Sequence, residues 1–159
     1  MTTQLIRRIV TTHNDNGMSV IALDETTDFR VVGPGAQMTA IWGTSTVPAS
    51  NDGAPDPVMA PLGSEKGSIV RVVDFEPGAA SPMHRTPTID YAVVLSGEID
   101  LLLDEGAPAI IGPNTIVVQR GTRHAWRNSS DTRTARVLFV LVEAEPVLYN
   151  GEQLPAEGL

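Results

Sequence analysis

The chain has 159 residues, a formal net charge of −8, a pI near 4.7 and no cysteine. That length suits one domain with a core of its own, and the acidity excludes a phosphate-neutralising nucleic-acid binder. One lysine, Lys66, among eleven basic residues excludes a polybasic membrane patch, and the missing cysteines exclude disulfides, thiolate metal sites and a cysteine nucleophile.

Met1 to Arg8 lacks the apolar core of a signal peptide, and no apolar run is long enough to span a membrane, so a cytoplasmic protein is expected. Fourteen glycines and twelve prolines favour short strands and turns over long helices. In chain order, Leu5 to Val10 and Met18 to Leu23 read as a hairpin closed by the His13–Gly17 turn, where Asn and Gly supply left-handed conformations. His13 reads as exposed. Gln37 to Trp42 reads as a third strand, with Met38 and Trp42 packing on it. Val47 to Gly67 reads as a long Pro/Ala/Asp/Gly loop of the kind that covers something or packs on a partner.

Strands then follow at short intervals: Ser68–Phe75, Tyr91–Leu95, Glu98–Leu103, Ala109–Ile111, Thr115–Val118, His124–Arg127 and Arg136–Val142. After Arg136 the last is an unbroken apolar run, as a strand buried on both faces is. Glu143 to Leu159 reads as a loosely held tail. No stretch carries helical periodicity. The domain therefore divides into an extension with its loop (1–67), an all-β barrel core (68–142) and a tail (143–159), and the strand spacing points to a sandwich or closed barrel.

Alternation along an extended backbone puts His84, Thr86, Thr88 and Asp90 on one side, with Pro87 interrupting the ladder. His124 and Trp126 likewise share a face. If both faces point inward, two imidazoles and a carboxylate converge in an apolar pocket with an aromatic wall. Such a set suits Mn, Fe, Ni or Zn, or proton transfer without metal, the groups being tuned by desolvation. Arg71, a charge inside Ile69–Val73, needs a partner: a substrate carboxylate or an acidic side chain. Arg85 alternates away from His84 and reads as a surface ion pair, and Tyr91 as packing opposite Asp90.

Two stretches fit a known pattern. Gly78, His84, Asp90 and Gly97 fall in the first; Gly121, His124 and Asn128 fall in the second. The spacing resembles the two motifs of the cupin superfamily, with Asp90 where the family has Glu, Thr86 in place of a second His and Gln119 in place of a Pro. The likeness runs from about Ser68 to Val142. Around Met83–Tyr91 and Arg120–Asn128 it is similar to small single-domain cupins that tailor polyketide-like or aromatic metabolites. Gly97 and Gly121 read as backbone requirements.

The resemblance implies an antiparallel double-sheet jelly-roll barrel, with the N-terminal strands extending one sheet or crossing to a second subunit. A homodimer is the default assembly because the extension and long loop need something to cover them. It implies a site in which His84, Asp90 and His124 are catalytic and hold any divalent metal, while Thr86, Arg71 and Trp126 line a small-molecule pocket. The leading expectation is a lyase or isomerase performing dehydration, decarboxylation or enolisation on an oxygenated organic acid or polyketide-like compound, with a metal polarising a carbonyl or, without one, the same residues as acid and base. The alternatives are an Fe(II) oxygenase and a non-catalytic ligand-binding barrel.

Overall fold

A computed structural model describes residues 5–51 and 66–158. Within them the chain forms only β-strands: β1 (Ile6–His13), β2 (Ser19–Thr27), β3 (Arg30–Gly33), β4 (Ala36–Thr44), β5 (Ser68–Phe75), β6 (Thr88–Ser96), β7 (Ile99–Leu103), β8 (Ala109–Ile111), β9 (Ile116–Arg120), β10 (His124–Arg127), β11 (Ala135–Glu143), β12 (Leu148–Tyr149) and β13 (Glu152–Gln153). Most of the expected Val47–Gly67 loop lies outside the described residues. No helix among them is long and apolar enough to cross a membrane.

Two sheets form the barrel. The larger has the order β3-β4-β5-β11-β6-β9 and the smaller β10-β7-β8, with all neighbours antiparallel. The alternation seen in the sequence decides which side chains enter. On β6, Thr88, Asp90, Ala92 and Val94 are buried while Ile89 and Tyr91 face out. Tyr91 is therefore exposed rather than packed. On β11, Ala135, Val137, Phe139 and Leu141 are buried and the alternate residues are half-buried. The strand thus has one core face, where its apolar run suggested two. Ile99 and Ile111 from the smaller sheet close the core against Val73, Phe75 and Val137. Burying such side chains contributes roughly 2 kcal/mol each.

Gly97 turns β6 into β7 at φ 74°, and a Cβ there would meet Thr134 O at 2.5 Å, so its backbone role holds. The outer face of β6 instead carries Ile89, Tyr91 and Leu95, all exposed.

The N-terminal strands split. β3 and β4 extend the large sheet, with Ala36 opposite Phe75 and Thr44 opposite Ser68. β1 and β2 form a separate hairpin whose turn is held by Asn14, its Oδ1 accepting from the Asn16 and Met18 amides at 3.0 Å. Leu5, Ile9, Val20 and Ile21 remain exposed on it. The C-terminal segment is not loose. Its small β12–β13 hairpin leads to Glu157, which exchanges two backbone hydrogen bonds with Arg85 at 2.8 and 3.2 Å.

Candidate functional site

Residues 78–85 run antiparallel to β10 as an irregular extra strand. Ala80 pairs with Arg127 and His84 with His124, and Ser81 N–H donates to Trp126 O at 2.8 Å. His84 and His124 exchange both backbone hydrogen bonds, at 2.8 and 2.9 Å, which makes them direct cross-strand neighbours. Their ring centroids stand 4.2 Å apart. The shared pocket expected from alternation is thus formed by main-chain pairing, with Pro82 and Pro87 keeping the segment out of regular sheet.

Each imidazole is oriented from behind. Nδ1 of His84 lies 3.0 Å from Pro82 O, and Nδ1 of His124 lies 3.0 Å from Thr122 O. A carbonyl only accepts, so each neutral ring carries its proton on Nδ1 and keeps a lone pair on Nε2. Gln119, at the position where a proline was expected, is buried and donates from Nε2 to Thr122 O at 2.7 Å and Thr122 Oγ1 at 2.6 Å. It braces the turn that aims His124. Asn128 is fully buried and ties the Phe75 and Arg133 carbonyls together at 2.9 and 2.7 Å, a structural part of the second motif.

A cavity of about 310 Å³ opens on this pair. Arg71, Thr86, Asp90 and Trp126 line it. Met38, Val73, Phe75 and Phe139 supply most of its apolar wall, and Gly33, Pro34 and Ala36 bring the extension into it. Gly158 also lines it. These last contributions were not legible, although the apolar parity of Met38 on its strand was a usable signal. A larger cavity of about 680 Å³ lies between the start of β6 and residues 143–156, but it contains neither histidine nor Arg71. Arg85 does pair as expected, reaching Glu157 at 3.9 Å, and also donates to Pro155 O at 3.1 Å.

The carboxylate behaves differently from expectation. Asp90 lines the cavity, yet its Oδ2 accepts from Thr86 at 3.2 Å and its Oδ1 from Thr88 at 2.5 Å. Among the described residues no three His, Cys, Asp or Glu side chains are grouped to hold a metal. The structure therefore brings the two imidazoles together and leaves Asp90 on the threonines; its short side chain is satisfied where it stands. Two imidazole nitrogens are the donors the structure brings together, and among the described residues Asp90 does not complete a three-ligand group with them.

Burial sets the electrostatics. His124 is 2% exposed, and burial, reinforced by His84 and then Arg71, lowers its pKa to about 4 against the backbone bond to Thr122. Burial pushes the Asp90 carboxyl up, while the Thr88 and Thr86 hydroxyls, Arg71 and His84 pull it back. Burial lowers Arg71, with Asp90 opposing. Trp126 stands edge-on to both His124, at 5.9 Å, and Phe139, at 5.4 Å, the favoured aromatic geometry. Neutral imidazole lone pairs, a buried carboxyl and a cation in an apolar wall can move protons and stabilise a developing anion.

The Cupin domain family matches residues 71–141. Phomopsin biosynthesis cluster protein C′ of Diaporthe leptostromiformis is 39% identical over 157 residues, spanning 92% of this chain and 83% of that protein. The cupin-domain-containing oxidoreductase srdB of Neurospora crassa is 34% identical over 153 residues, spanning 92% of this chain and 78% of that protein. Among solved structures, the polyketide cyclase RemF of Streptomyces resistomycificus matches with a TM-score of 0.54 and 19% identity over 84% of this chain and 80% of that one, a likeness of fold. With the paired motif histidines inside a double-sheet barrel and relatives alike over nearly the whole chain, this protein belongs to the cupin superfamily.

Proposed function

We propose that this cupin is a tailoring enzyme of small-molecule biosynthesis, a lyase or isomerase that moves a proton beside a carbonyl of an oxygenated organic acid or polyketide-like compound. The relatives named for biosynthesis clusters support the setting. The observation that carries the chemistry is the pair of imidazoles, each with Nδ1 tied to a carbonyl and Nε2 left with its lone pair.

His84 is the less buried of the two rings and lines the cavity, so it is assigned as the base. Its Nε2 takes the proton from the carbon next to the carbonyl, and the electron pair moves onto the carbonyl oxygen. His124, held neutral, accepts a hydrogen bond from a substrate hydroxyl and fixes its orientation. The His84 imidazolium, attracted by Asp90, then returns the proton, either to a second carbon or to a departing hydroxyl that leaves as water. Were the two Nε2 atoms instead to hold a divalent Fe, Mn, Ni or Zn, their lone pairs would be engaged, and the ion would supply Lewis-acid polarisation of the carbonyl in place of His84 as base.

The test is deuterium exchange. Enolisable keto acids and β-hydroxy ketones are incubated with the protein in D₂O and followed by ¹H NMR. Deuterium should enter beside the carbonyl, with His84→Ala slowing exchange about 100-fold and His124→Ala also slowing it. No exchange across the panel, or exchange indifferent to both substitutions, overturns the reading. The second reading is an oxidoreductase, favoured by the names of srdB, virC and fogC at 34–35% identity. Dioxygen uptake with Fe(II) and no deuterium incorporation selects it.

A further inference from the structure

Arg71 is the anomaly of the charge distribution. Arg8, Arg85, Arg123, Arg127 and Arg136 each reach an Asp or Glu at ion-pair distance. Arg71 does not among the described residues; its Nε is buried with no hydrogen-bond partner, as are those of Arg8, Arg85 and Arg123, but those three guanidiniums each have an acidic partner. It shares parity on β5 with Val73 and Phe75 and enters the cavity beside them. Its guanidinium carbon lies 6.0 Å from the Phe139 ring centroid. Asp90 faces the same cavity and attracts Arg71, but its oxygens are occupied by Thr86 and Thr88.

A desolvated guanidinium with an unpartnered nitrogen is expensive in an apolar wall unless something anionic completes it. We infer that the cavity takes a ligand with a carboxylate on the Arg71 guanidinium and a flat apolar body against Trp126 and Phe139. The inference rests on the tailoring-enzyme reading and specifies its substrate class. A planar fork pairs with a planar carboxylate through two parallel hydrogen bonds. One cation balances one negative charge, which favours a monocarboxylate over a phosphate dianion. At the ~30 Å³ that a water takes in the liquid, the 310 Å³ cavity holds about ten non-hydrogen atoms, the size of a substituted aromatic acid. The apolar lining from Met38, Val73, Phe75, Trp126 and Phe139 suits such a body.

Benzoate and its neutral isostere benzamide test this by calorimetry and tryptophan fluorescence on the full chain at fixed salt. Benzoate should bind about 10-fold more tightly than benzamide. Arg71→Met should bring the ratio to about one, and Arg71→Lys, which keeps the charge without the fork, should leave an intermediate preference. If Arg71→Met does not fold, Arg71→Lys decides, and a ratio unchanged there overturns the inference. Equal binding of the two probes, no saturable benzoate binding, or a preference that survives Arg71→Met also overturns it. Neither probe has an enolisable proton, so binding is read apart from chemistry. Loss of anion preference with deuterium exchange intact removes this inference alone; preference without exchange removes the catalytic reading alone.

Discussion

Acid should destabilise this protein through His124, with the raised Asp90 carboxyl working in the opposite direction, and the size of the His124 contribution follows from its burial. Its pKa is lowered from 6.5 to about 4 by burial, with His84 and Arg71 adding to the shift. In the unfolded chain the ring titrates at its ordinary value, so between pH 6.5 and 4 the unfolded state holds a proton that the native state refuses. Stability is therefore complete above pH 6.5 and falls as the pH drops, by up to ~1.4 kcal/mol per unit. The total is about 3 kcal/mol by pH 4, a large part of a domain's net stability. Chemical denaturation from pH 7 to 4 should show this slope, and His124→Asn should flatten it. Imidazole NMR titration should find His124 still neutral at pH 5.5 in the same protein. A His124 midpoint near 6.5, or an equal slope in the variant, refutes the reasoning.

Metal analysis of untagged protein purified without chelator should give well under one ion per chain after dialysis, because two imidazoles hold weakly. Near-stoichiometric metal that resists chelator in the wild type and vanishes in His84→Ala and His124→Ala would show a third donor at work. Asp74→Ala strands Arg136, whose bidentate contacts of 2.6 and 2.7 Å are largely buried; urea denaturation should report a loss of about 3 kcal/mol, and a loss below about 1 would place the pair among exposed ones. Gly158 sits at φ 72°, and a Cβ there would meet Met83 O at 2.7 Å and His84 Cβ at 3.1 Å. Gly158→Val should detach the C-terminal segment and speed labelling of His84 by diethylpyrocarbonate, and unchanged labelling would count against that wall. A homodimer is expected in sedimentation equilibrium, with the exposed Ile21 of the hairpin as its contact, so Ile21→Glu should yield monomer.

The histidine pocket was legible because it depends on local rules. Period-two alternation and glycine turns put His84, Asp90, His124 and Trp126 on inward faces without reference to distant residues. Even the fate of Asp90 had a local signal, since Thr86 and Thr88 share its face and carry the hydroxyls that hold it. Strand β3 was missed because Arg30–Gly33 has only two β-branched residues between a charge and a turn; its pairing with β4 makes it a strand. The β12–β13 hairpin and the docking of Glu157 were missed for a related reason. Their partners lie far away in sequence: Arg85 is more than seventy positions from Glu157, and nothing near either residue announces the other.

The amino-acid sequence by itself determined an acidic all-β chain, the strand phases, the turn glycines and the side of each strand on which a chemical group stands. These follow from backbone sterics and side-chain periodicity, which act over a few residues. Tertiary structure alone decided that His84 and His124 exchange backbone hydrogen bonds, that the Thr86 and Thr88 hydroxyls hold Asp90, and that among the described residues Arg71 has no salt bridge. It also decided that the extension and the C-terminal segment wall the cavity. Those outcomes are set by register and by which buried polar groups find partners across the barrel, quantities that exist only once distant strands have met.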